Sequence, residues 1–109
     1  MSVRPPQSFR QSQQDRNGFN VLEYELMAER ADSLGRHGLK VEAAIANLKA
    51  WTAERQSAED REMLLNAASD AVWAFFIQRE ICGLRNNRDA IQRYGIPKEV
   101  IARLGAIRK

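Results

Sequence analysis

The chain carries a single imidazole, His37, and a single thiol, Cys82. Ser-His-Asp and Cys-His machinery both need a histidine held beside the nucleophile. His37 lies in LGRHG, a stretch that reads as a loop, and is expected to be an exposed turn residue rather than a base. Catalytic zinc sites usually take two or three imidazoles, and a di-metal carboxylate bundle needs Glu-x-x-His on each of two helices. One histidine supplies neither. The sequence has no GxGxxG and no GxxxxGK(S/T), the usual backbone cradles for nucleotide phosphates. Cys82, with no histidine beside it and no second cysteine, reads as a small buried hydrophobe near Val72 and Phe75. The expectation is a protein that is not an enzyme, with no cofactor and no bound metal.

Anion binding is the chemistry its charges offer. The formal net charge of +3 is unevenly spread: +2 over residues 1–19, −1 over 20–56, −3 over 57–84 and +5 over 85–109. Within the basic end, RDAIQRYGIPKEVIARLG reads as a short helix, a tight Gly95-Ile96-Pro97 turn and a second short helix. Ile91, Gly95, Ile96, Ile101 and Leu104 fall near the apolar and turn positions of a helix-turn-helix. A DNA-binding regulator built on it would aim Lys98 and Arg103 at the groove and Arg88, Arg93 and Arg108 at phosphates. Asp89 and Glu99 lie in the same segment and the second helix is short for groove reading, so a structural corner with a solvated basic surface is the preferred reading. EVIARLGAI is too short, and Glu99 too unfavourable, for a membrane-surface helix.

The elements that must position these residues are helical. A length of 109 residues with 44% apolar content fits one soluble domain. Residues 1–18, with Pro5-Pro6 and few apolar anchors besides Phe9, read as a flexible arm, and 19–109 as a single helical domain. Asn20 and Glu23 resemble a capping box, after which Tyr24, Met27, Ala28, Ala31 and Leu34 recur on one helical face up to Gly35. Gly35 and Gly38 suit a short turn into a second helix from Leu39 to about Arg55, whose apolar positions are Val41, Ala44, Ile45, Leu48 and Trp51. These two helices should form an antiparallel hairpin. Ser57 and Asp60 form a second capping-box pair, opening a long third helix that runs to Asn86 unless Gly83 breaks it. No repeat of 20–50 residues supports a solenoid, and a coiled coil is not expected either. The fold class is all-α: a small helical bundle with a helix-turn-helix-like C-terminal corner.

That third helix has two apolar faces. Leu64, Ala68, Ala71, Val72, Phe75 and Cys82 share one side, and Met63, Trp73, Ile77, Ile81 and Leu84 the other. The hairpin can cover one of them. Trp73, Ile77, Ile81 and Leu84 are therefore the expected interface of a homodimer, or of a complex with a protein partner, unless the C-terminal helices fold back over Trp73 and Ile77. Trp51 is expected in the core. Arg79 interrupts the buried stripe, with Glu25, Glu29 and Asp32 as candidate partners. The longest apolar run, AVWAFFI, is far short of a membrane span, and the start of the chain shows no secretory h-region, so a cytoplasmic protein is expected. EYELMAERADSLGRHGLKVEAA and VWAFFIQREICGLRNNRDAIQRYGIP resemble small uncharacterised bacterial proteins of about this length, a family of unknown function. The resemblance implies a small bacterial domain and attaches no activity. The overall expectation is a non-enzymatic interaction module.

Overall fold

The computed structural model describes residues 7–104, with side chains for residues 20–104. Residues 1–6 and 105–109, the latter including Arg108, lie outside the described residues. Four helices and no strands are present among those described: α1 (Gln7–Ala50), α2 (Ala58–Ile81), α3 (Asn87–Tyr94) and α4 (Lys98–Arg103). The all-α class and the long helix packed against a second one are as the sequence implies. α1 begins at Gln7, within the stretch read as an arm, whose remaining side chains are outside the described residues.

The hairpin corner is not where the glycines suggest. α1 runs unbroken through Gly35 and Gly38, and among the described residues positive φ occurs only at Gly83 and Gly95. Gly38 serves packing instead of a turn. It is buried, and a Cβ built on it would stand 2.7 Å from the Tyr94 hydroxyl and 3.7 Å from Phe75 Cε1. Gly38 thus lets Tyr94 and Phe75 press directly on the α1 backbone. The helical cost of a glycine, about 1 kcal/mol relative to alanine, is outweighed by that close approach. Gly35 faces open space.

The true corner is residues 51–57. Trp51 is half-buried and its indole N–H donates to the Ser57 carbonyl at 3.0 Å, clamping the end of α1 to the start of α2. The Arg61 guanidinium lies 5.7 Å from its ring centroid. The second capping box is present: Asp60 N–H donates to Ser57 Oγ at 3.1 Å, and Ser57 N–H to Asp60 Oδ2 at 3.1 Å. α2 then runs back along α1 until Cys82, whose thiol reaches the Arg30 carbonyl at 3.8 Å.

Gly83, at φ 79°, ends α2 well before Asn86. Gly83 N–H donates to the Glu80 carbonyl and Leu84 N–H to that of Arg79, at 2.9 and 2.8 Å, the paired bonds of a left-handed glycine cap. Gly95 repeats the device at the end of α3, with Ile96 N–H donating to the Ile91 carbonyl at 3.0 Å. Asn86 caps the start of α3 and Pro97 that of α4, so the Gly95-Ile96-Pro97 turn is as read. Together α3 and α4 act as a broken third helix that returns along α2. Ala90, Ile96 and Val100 join Val41, Ile45, Leu48, Leu65, Ala68, Val72 and Phe75 in one core.

This core is short beside the molecule. α1 spans about 66 Å and α2 about 36 Å at 1.5 Å per residue. The radius of gyration is 22.5 Å, where a compact domain of this length has about 13 Å. Tyr24, Met27, Ala28 and Ala31, read as one apolar helical face, are exposed, because α2 ends opposite Arg30 and none of the described residues covers them. Only Leu34 of that stripe packs against the core.

The two mid-helix glycines should respond oppositely to alanine. Gly35→Ala is expected to stabilise by about 0.5–1 kcal/mol through helix propensity. Gly38→Ala should destabilise by about 1–3 kcal/mol by driving Cβ into Tyr94. Adding Tyr94→Phe, which removes the offending hydroxyl, should recover much of that loss in urea unfolding followed by circular dichroism.

Candidate functional site

Two surfaces bear on function: the outward face of α2 and the basic corner made by α3 and α4. Trp73, Ile77 and Ile81 follow one another at helical i, i+4 spacing, and Leu84 extends the row just past the Gly83 cap. Their exposures are 52%, 41%, 53% and 42%. The returning α3–α4 segment packs elsewhere, placing Val100 in the core while Trp73 and Ile77 stay open. Trp73, Phe76, Ile77 and Leu84 line an open groove of about 400 Å³, with Glu80 and Arg85 among its polar lining. The opposite side of α2 is closed: Ala68, Val72 and Phe75 are buried and Leu64 and Ala71 pack against them. The two apolar faces inferred from the helical wheel are therefore two different environments.

The basic corner is knitted to α2 by crossing charges. Arg61 on α2 pairs with Glu99 on α4, and Arg103 on α4 pairs with Glu62 on α2. Arg103 also donates to Asn66 Oδ1 at 2.7 Å. The hydrogen bond to Glu99 raises the Arg61 guanidinium above its ordinary value. Arg93 lies 3.5 Å from Asp89 one turn back on α3. Arg88 and Lys98 are exposed. Of the residues a nucleic-acid surface would use, Arg103 is thus committed to α2, Arg93 is shared with a carboxylate, and Arg108 lies outside the described residues. Nothing in the sequence pattern signals the Arg103 contact, since its partners are 37 and 41 positions away.

The remaining chemistry-bearing side chains sit apart from one another. His37 is a mid-helix residue of α1, partly buried, with Nδ1 lacking a hydrogen-bond partner. Its expected place in a turn is overturned because the glycines flanking it are helical. Arg79 turns away from the acids of α1: its guanidinium donates to the Asn86 carbonyl at 2.9 Å and lies 5.8 Å from the Phe75 ring centroid. Cys82 caps α2 rather than lying deep beside Val72, and is only partly buried. Trp51 is a corner clamp more than a core residue. Among the described residues, no group of three or more His, Cys, Asp or Glu is placed to hold a metal ion, and no helix is long and apolar enough to cross a membrane.

A family model described as a family of unknown function (DUF6665) matches residues 1–109, and the chain belongs to that family. No curated protein and no solved structure matches it.

The charge pairs make a stability test of the basic corner. Arg103→Ala should lower the unfolding free energy by about 1–2 kcal/mol, since it strips Glu62 and Asn66 of a charged donor at a partly exposed site. Arg88→Ala should stay within about 0.5 kcal/mol of the wild type. Equal effects in chemical denaturation would show that Arg103 has no structural role.

Proposed function

We propose that this family member is a non-enzymatic helical interaction module that self-associates by burying the outward face of α2, and that it works in the cytoplasm. The observation that carries the reading is the row Trp73, Ile77, Ile81 and Leu84, left open by the other described elements. Their exposed fractions amount to roughly 350 Å² of apolar surface, the size of patch that on soluble proteins often marks a contact site. A stable interface needs about 800 Å² per partner. The row supplies the apolar centre of such an interface, and Met63, Asp70, Glu80 and Arg85 are exposed along the same helix and its cap to supply the margin. Tryptophan, which opens the row, is the residue type most enriched in binding hot spots.

A two-fold arrangement suits this face because one copy's patch then meets an identical patch. The free thiol of Cys82, with no second cysteine in the chain, accords with a reducing compartment. The duplex-binding alternative has less support: α4 has six residues, and Arg103, one of the two residues meant for the groove beside the exposed Lys98, is held by Glu62 and Asn66.

Light scattering after gel filtration provides the test. The wild type should have at least twice the 12.4 kDa mass of one chain, and Trp73→Glu should halve the measured mass while its helical circular dichroism is unchanged. Trp73 is half-exposed, so the charge has solvent to reach once the partner leaves. A wild type that travels as a single chain at micromolar concentration, or a Trp73→Glu chain of unaltered mass, would end this reading.

A further inference from the structure

We propose that the overhanging half of α1 lies along the outward face of the second copy's α2, so that two chains cover each other's open surfaces at once. The inference rests on that face being the site of self-association, and it names what covers the face. Patch on identical patch is the simplest two-fold contact, but it leaves the overhang of α1 bare. The helix lengths supply another. From Gln7 to Glu29, α1 runs on past the Cys82 contact at Arg30 for about 35 Å at 1.5 Å per residue, and α2 is about 36 Å long. A two-fold axis at the Gly83 end of α2 sets the second α2 in line with the first, C-terminus toward C-terminus. Each α1 then spans both, resting on its own α2 with one half and on the second copy's with the other. No described element fills the line beyond α2.

The faces agree with this placement. Tyr24, Met27, Ala31 and Leu34 continue, in steps of three and four, the stripe of Gly38, Val41, Ile45 and Leu48 that the chain's own α2 covers. Tyr24 is 74% and Met27 62% exposed, and a helix in line with α2 meets that same stripe. Met27, Ala31, Leu34 and Cys82 line an open groove of about 390 Å³ where the two α2 ends would approach. On α2, Trp73 stands about 180° around the helix from Cys82, which touches Arg30. Ile77 stands about 200° around from Phe75, which lies against Gly38. The exposed row thus points away from the chain's own α1, toward the side where the axis places the second one.

Area and charge favour the exchange over patch on patch. Each chain buries its overhang as well as the roughly 350 Å² of its α2 row, against the about 800 Å² per partner that a stable interface needs. Residues 20–32 carry Glu23, Glu25, Glu29 and Asp32 against Arg30, all exposed, and the end of α2 that receives this stretch has Arg85 and Arg88 exposed. Opposite charges therefore meet across the contact, whereas overhang on overhang would set acid beside acid.

Sedimentation equilibrium on full-length variants tests the exchange. Met27→Glu, at an exposed position, should keep the helical circular dichroism and weaken the dimer at least about ten-fold, as Trp73→Glu should. At a concentration where neither variant dimerises alone, an equimolar mixture should. One chain's intact overhang then meets the other's intact face, so one of the two contacts survives. A Met27→Glu chain that keeps the wild-type mass while Trp73→Glu loses it would overturn the exchange and leave the α2-face reading standing. A mixture that stays monomeric would overturn the exchange as well. Should Trp73→Glu keep the wild-type mass, the α2-face reading itself fails.

Discussion

Phe75 is the contact on which the three helical layers converge. Its ring is 2% exposed, meets Tyr94 of α3 edge-on at 5.0 Å, and lies against the α1 backbone where Gly38 has no side chain. Arg79 covers another side of the ring and ties the start of α3 through the Asn86 carbonyl. The arrangement tolerates little change, since an aromatic pair gains from its edge-to-face geometry only while the rings keep their separation. Glycine at position 38 is therefore a condition of the fold, and the loss of helix propensity it brings is local and small beside the burial it permits.

From that junction the C-terminal third can only return along α2. The glycine cap at Gly83 reverses the chain, Asn86 restarts it as α3, and Gly95 with Pro97 turns it into α4. Val100 then reaches the core, and the crossed pairs Arg61–Glu99 and Arg103–Glu62 lock α4 in register on the first turns of α2. Surface pairs of this kind add little individually. Two of opposite polarity side by side penalise a shifted or reversed α4, so their contribution is to orientation. Much of the basic character read from composition at this end is spent on holding the corner in place.

Signals that act within a few residues of themselves were legible. The Ser57–Asp60 capping box, the Gly95–Pro97 turn and the two-faced pattern of α2 each depend on neighbours one or two turns away, and each is found where the sequence places it. The glycines of α1 were misleading because a helix-ending glycine and a packing glycine look alike locally. What separates them is Tyr94, 56 positions away from Gly38. The same error hid how far one apolar stripe runs along α1. Divided at Gly35, α1 shows two short amphipathic stretches, and the alternation of three and four from Tyr24 to Leu48 emerges only when the helix is continuous. The exposed row on α2 was readable as a second face, whereas the fate of Arg103 depended on a contact between helices that no periodicity encodes.

The unequal lengths of α1 and α2 have an energetic consequence. A helix in water draws most of its stability from burying one face, and an isolated helix of 12–15 residues is marginal. Residues 20–32 of α1 are exposed, so beyond the Cys82 contact at Arg30 the overhang gains little packing from the described residues. It is nevertheless attached to a half that is already helical, where nucleation has been met and each further residue needs only propagation. That suffices to extend a helix past its support but not to offset the exposure of Tyr24 and Met27 to water. Leu26 and Val21 add to the same uncovered apolar surface. A chain organised this way stores its unsatisfied hydrophobic surface in two places, one along the outward face of α2 and one beyond its end.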